Sequence, residues 1–255
     1  MKFLTSLEAL RNSRWLLTSI TLLAFSSAFA QEPATRARKV LPTRKASALK
    51  AKPKPKLVTA REVKEAKEQL AALGYWLKAE AESYRHALIA FQKVEGLKPT
   101  GKLTFADLEV LRAANPPVPK GAKTLEEGKT RIEVDLQRQV LFVIEGENKV
   151  TKILSVSSGN GKEFKSEGFV RDAVTPPGRF NVYNKIKGWK KSALGLLYYP
   201  NYYLSGLAIH GSTFVPAYPD SHGCIRIPMY AAVEFYQMVT VGTEILVYGQ
   251  PMAKK

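Results

Sequence analysis

The run Asn115-Pro116-Pro117-Val118-Pro119 constrains this chain more than any other feature, because the hydrophobic period changes across it. Before it, apolar residues recur at helical spacing; after it, they alternate. The two patterns cannot trade places, since a 3.6-residue stripe placed in a strand turns half its apolar side chains to water. Proline lacks an N–H and fixes φ, so neither a helix nor a central strand runs through this segment. The expected fold is a mainly β domain with one or more helices, preceded by a small three-helix domain.

On the helical side, Thr59-Ala60-Arg61-Glu62 is a capping box, followed by Val63, Ala66, Leu70 and Leu73, with Gly74 as the stop. A second helix is expected after Ser83, with Tyr84, Ala87, Leu88 and Phe91 on one face and Gly96 beyond its end; His86 falls on its flank, as a surface or edge residue. Thr104 and Asp107 open a third, carrying Leu108 and Leu111. Residues 58–115 therefore form a satellite domain. From Thr130 the pattern is β: Ile132 to Leu136, Val140 to Ile144, Val150 to Val156, Phe180 to Tyr183, Leu207 to His210 and Glu244 to Tyr248. One helix near the end starts at Pro228 and is lined by Met229, Ala232, Val233, Tyr236 and Val239. The β domain spans 129–249.

The N-terminus predicts export. Lys2, Arg11 and Arg14 precede an apolar run from Trp15 to Phe25, and Ala28-Phe29-Ala30 is a small-x-small cleavage site, so residues 1–30 read as a signal peptide. The alternative is an uncleaved anchor, but the run is shorter than the roughly 20 residues a membrane span needs. Residues 31–57 form a basic, proline-containing linker with nine Lys/Arg against Glu32, a large part of the chain's net +17. Such a tail is drawn to polyanions at long range, here anionic wall polymers or a membrane surface. Export and the lack of aromatics in the linker argue against dedicated nucleic-acid binding.

A secreted domain that uses cysteine structurally uses it in pairs, and this chain has one, Cys224. It lies in Ser221-His222-Gly223-Cys224-Ile225-Arg226, downstream of Ile209-His210-Gly211-Ser212, so the lone thiol and two of three histidines fall within fifteen residues. A thiol attacks as thiolate, and a nearby imidazole lowers its pKa by ion pairing and returns the proton to a leaving amine. The flanking glycine lets backbone N–H groups approach an oxyanion. Two other readings stay open. One is a zinc site of His210, His222 and Cys224 with Asp220 as a strained fourth ligand; the other is a buried structural thiol.

These residues resemble the signature of the L,D-transpeptidase (YkuD-type) catalytic domain, a β-sandwich fold. The resemblance extends to Ile132-Glu133-Val134-Asp135-Leu136, Val156-Ser157-Ser158-Gly159 and Thr175-Pro176-Pro177-Gly178-Arg179-Phe180. It implies a cell-wall enzyme that takes a peptidoglycan tetrapeptide stem, releases D-Ala, holds a thioester and passes it to an amine. It also implies Cys224 as nucleophile, His210 as base oriented by the Gly211 carbonyl, and N–H groups of Gly223 and Cys224 at the oxyanion, with His222 nearby. Arg226, Ser221 and Gly211 are expected at the substrate, together with Tyr202 or Tyr203 from the aromatic segment 189–204. No cofactor or metal is implied. Hydrolysis of the thioester, giving an L,D-carboxypeptidase, and a non-catalytic wall-binding protein are the alternatives. The interval between His210 and Cys224 is shorter than in many members of that family. The helical region more loosely resembles a peptidoglycan-binding domain through Leu73-Gly74-Tyr75, Ala90-Phe91-Gln92, Gly96-Leu97 and Thr100-Gly101. The expected location is the periplasm or cell wall.

Overall fold

The computed structural model describes residues 56–121, 125 and 128–250. The expected signal peptide, and the linker up to residue 55, lie outside the described residues. The elements are α1 (Ala60–Ala72), α2 (Ala81–Val94) and α3 (Phe105–Ala113), then β1 (Thr130–Asp135), β2 (Val140–Glu145), β3 (Lys149–Ser155), β4 (Glu163–Ser166), β5 (Phe169–Asp172) and β6 (Gly178–Asn181). There follow β7 (Asn184–Lys185), β8 (Trp189–Ser192), β9 (Gly195–Leu204), β10 (Leu207–Ser212), β11 (Ile225–Pro228), α4 (Met229–Met238) and β12 (Glu244–Tyr248). No helix among the described residues is long and apolar enough to cross a membrane.

The expected capping box forms, and the residues expected to open the third helix form a second. Thr59 and Glu62 close the start of α1, and Thr104 and Asp107 close α3, each pair exchanging side-chain and backbone hydrogen bonds. The second helix starts earlier than expected, at Ala81, because Ser83 is not its cap. Instead the Ser83 hydroxyl ties down the preceding loop, donating to the Lys78 and Glu80 carbonyls and accepting from the Lys78 N–H.

One sheet runs β3-β2-β1-β12-β6, with β1 and β12 parallel; a second runs β11-β10-β9-β7, with β8 also on β9 and β10 parallel to β11; β4 and β5 form a separate hairpin. Ile132, Val134, Leu141 and Val143 of the first sheet meet Ile209, Ile225 and Ile227 of the second in one core, to which α4 adds Ala231, Ala232 and Phe235.

The opposite face of the first sheet is not solvated. Val140, Phe142, Ile144, Val150 and Ile153 pack against Ala66, Leu70, Leu88, Phe91, Leu108 and Leu111 of the three helices. The helices therefore form a third layer rather than a satellite, and they sit in one compact unit with the sheets. Gly74, at φ +91, ends α1 and turns the chain alongside β3, where Trp76 N–H donates to Ile153 O and Ile153 N–H to Gly74 O. Tyr75 then enters the helix-side core and Trp76 the inter-sheet core.

This layering explains β1. Its alternation predicts one wet face, yet Arg131 and Glu133 are 1% and 0% exposed. Arg131 Nη2 lies 2.9 Å from Glu133 Oε1, Glu133 also accepts from the Lys120 and Gly121 N–H groups, and Arg131 donates to Gly121 O and Asn148 Oδ1. The charged face of the strand thus clamps the end of the proline-rich connection.

Candidate active site

Side chains two apart on a strand share a face. His210 pairs with Arg226 across the parallel β10–β11 ladder, so His210, Arg226 and Cys224 share one side, while Ile209, Ile225 and Ile227 fill the core on the other. That first side lines a cavity of about 520 Å³, with Tyr202 and His222 also on its wall.

The His210 ring is 6% exposed, and its Nδ1 is 2.9 Å from the Gly211 carbonyl. A carbonyl only accepts, so Nδ1 carries the proton and Nε2 the lone pair. Burial pushes the imidazole down to about 4; the Gly211 carbonyl opposes this and the Arg226 charge adds to it. Burial pushes the Cys224 thiol up, against the Ala208 N–H that donates to it and the Arg226 charge. Both groups are therefore neutral near pH 7. Burial thus disfavours the expected resting ion pair of thiolate and imidazolium.

The Ser221–Cys224 loop is held from within. Ser221 Oγ donates to Cys224 O at 2.5 Å and accepts from Gly223 N–H at 3.0 Å. Ser221 therefore works inside the loop, and the Gly223 N–H, expected at the oxyanion, already has a partner. Gly223 has φ +135, and a Cβ there would meet Val174 O and Leu207 Cδ2 at 2.9 Å. Its carbonyl accepts from Thr175 Oγ1 at 2.6 Å, and that hydroxyl accepts in turn from Gly159 N–H. Arg226 Nη1 is 3.3 Å from Asp220 Oδ2, so its guanidinium is partly engaged.

Other expectations divide. Tyr202 lines the cavity, but Tyr203 is 3% exposed in the core against Phe180, with its hydroxyl unpartnered. Gly211 is buried and contributes its carbonyl to His210, not a surface for substrate. His222 is exposed, its ring centroid 4.7 Å from that of Phe164 on β4. Among the described residues no group of three His, Cys, Asp or Glu side chains could hold a metal. His86, expected at the surface, is 3% exposed, because the helix flank it occupies faces Tyr230 of α4.

Sequence reasoning missed the β4–β5 hairpin, whose Phe164 and Arg171 help line the cavity, and the supporting roles of Ser158, Thr175 and Gln139. Thr175 stood in a recognised motif, so its signal was present; the hairpin left none beyond Glu167-Gly168 at its turn.

Residues 129–247 match the L,D-transpeptidase catalytic domain (YkuD) family, and residues 59–111 match the putative peptidoglycan binding domain family. The structure is similar to that of the L,D-transpeptidase from Xylanimonas cellulosilytica, at 32% identity over 77% of this chain and 97% of that one, with a TM-score of 0.67. An L,D-transpeptidase (Yku) from Stackebrandtia nassauensis matches at 22% identity over 75% of this chain and 93% of its own, with a TM-score of 0.45. An L,D-transpeptidase mutant from Enterococcus faecium matches at 26% identity over 57% and 64%, with a TM-score of 0.38. A search of curated proteins finds no match.

Proposed function

This chain belongs to the L,D-transpeptidase family, and we propose that it transfers a peptidoglycan stem peptide through a thioester on Cys224. The observation that carries this reading is that the shared face of β10 and β11, with the bend just before β11, brings His210, Arg226 and Cys224 to one cavity. His210 Nε2 takes the thiol proton as Sγ attacks the carbonyl of the residue before the terminal D-Ala. Because both groups rest neutral, proton transfer accompanies attack. The new C–S bond gives an oxyanion, stabilised by the Cys224 N–H with help from His222. The C–N bond then breaks, and the imidazolium returns its proton to the departing amine. An acceptor amine attacks the thioester in turn, losing a proton to Nε2, and the C–S bond breaks to restore the thiol.

Arg226 meets the substrate carboxylate as it leaves Asp220, and Tyr202 flanks the stem. The helical layer and the basic linker bring the enzyme to the wall, at the cell surface or in the periplasm. The test is to incubate the chain with disaccharide-tetrapeptide and weigh the products. A dimer that has lost one D-Ala supports transfer to an amine; tripeptide monomer alone means water resolves the thioester, which is the carboxypeptidase alternative. Turnover that survives Cys224→Ala sinks the mechanism.

A further inference from the structure

The side chain of Lys93 on α2 is 7% exposed and reaches out of the helical layer into the β domain. Its Nζ donates to Gln139 O at 2.9 Å, Ser155 Oγ at 2.8 Å and Val156 O at 3.2 Å. All three are neutral oxygens, and burial pushes the ammonium down to about 7. A buried cation without a carboxylate is costly, and a methionine would fill the same space without that cost.

The groups Lys93 holds lead to the nucleophile. Gln139 sits between β1 and β2 at φ +57, a strained conformation for a residue with a side chain, kept where the surroundings over-determine it. Its Nε2 donates to Leu136 O and Ser158 Oγ, and its Oε1 accepts from Ser158 N–H at 2.8 Å. Ser158 O accepts from the Asp220 and Ser221 N–H groups at 3.0 and 2.9 Å. Ser221 Oγ donates to Cys224 O. Gln139, Ser158 and Ser221 are all buried, so water does not compete for these bonds.

We propose that Lys93 is a positioning residue for the Ser221–Cys224 loop, acting through Gln139 and Ser158, so that the helical layer is a working part of the catalytic site. The proposal rests on Cys224 being the nucleophile. This ammonium is traced by hydrogen bonds to that loop, so loosening it changes turnover more than substrate capture.

The test compares Lys93→Met with Leu111→Ala in the full chain. Leu111 lies in the helix-side core away from the relay, and its truncation supplies a purely structural loss. In Lys93→Met, kcat for D-Ala release is expected to fall about tenfold with KM unchanged, as misplacement of a reacting group demands. Leu111→Ala is expected to keep its kcat despite a lower urea midpoint. Gln139→Met combined with Lys93→Met is expected to lose no more than the worse single variant. A wild-type kcat in Lys93→Met overturns the relay, as do losses that add in the double variant or a kcat that tracks stability in both single variants. Should Lys93→Met not fold, Gln139→Met alone, which cuts the same relay at its next member, is read against the same outcomes. A wild type that releases no D-Ala defeats the transpeptidase reading instead. The relay is then judged on Cys224 alkylation by iodoacetamide: a changed pH midpoint in Lys93→Met supports it, and an unmoved one overturns it.

Discussion

At the scale of single residues, burial bears on the proposed chemistry. As the proposed base, His210 must be neutral to accept a proton, and burial pushes it down to about 4. The acid limb of kcat/KM is therefore expected near pH 4, below the roughly 6.5 of a free imidazole; a pH–rate profile on tetrapeptide checks this. Stability carries the same signature twice, because burial also pushes His86 down to about 4. Unfolded, both histidines titrate near 6.5, so between about 4 and 6.5 the unfolded chain binds protons that the folded chain does not. Stability from these groups is thus complete above about 6.5 and is lost as pH falls toward 4. The urea midpoint should drop from pH 7 to pH 5, and His86→Phe should flatten that drop. Gly223→Ala places a methyl group against Val174 O, so it is expected to lower D-Ala release by about 100-fold while leaving the circular dichroism spectrum intact.

At the scale of elements, β1 shows how a readable pattern can mislead about its surroundings. Its apolar residues were legible as an inward face, and they do form one. Its charged residues read as an outward face, yet they are buried, bonded to the 120–121 segment and Asn148, and the charges pair in place. Glu133→Ala removes the carboxylate that accepts from Arg131 and from the Lys120 and Gly121 N–H groups and is expected to cost about 3–5 kcal/mol in urea denaturation. Replacing both residues with methionine should cost far less. β9 was illegible for a different reason. Its paired tyrosines, 198–199 and 202–203, break the alternation, and Tyr199 at φ +49 and the register shifts against β10 move the phase within the strand. A period-two search cannot recognise a strand that changes phase partway.

At the scale of the molecule, two cores share one sheet. The helix-side core covers Val140, Phe142, Ile144 and Ile153, and Trp76 crosses from the helical region into the inter-sheet core. An ion pair between Lys78 and Glu234 of α4 adds a polar tie. Deleting residues 59–114 uncovers that apolar sheet face, so the remaining chain is expected to bind 8-anilinonaphthalene-1-sulfonate and aggregate. A soluble, fully active truncated chain would show instead that the layers are independent.

The sequence by itself determined the local grammar and the candidate reactive group. Helix caps, the change of period at the prolines, and a lone thiol among histidines and glycines are all short-range signals, set by backbone sterics and side-chain chemistry. Only the tertiary structure decided how deeply His210 is buried, which of Tyr202 and Tyr203 reaches the cavity, and that Lys93 and Gln139 bond toward the loop around Cys224. Those outcomes depend on which surfaces meet. Burial moves a pKa and aims a hydrogen bond through neighbours distant in the chain, and no local pattern encodes them.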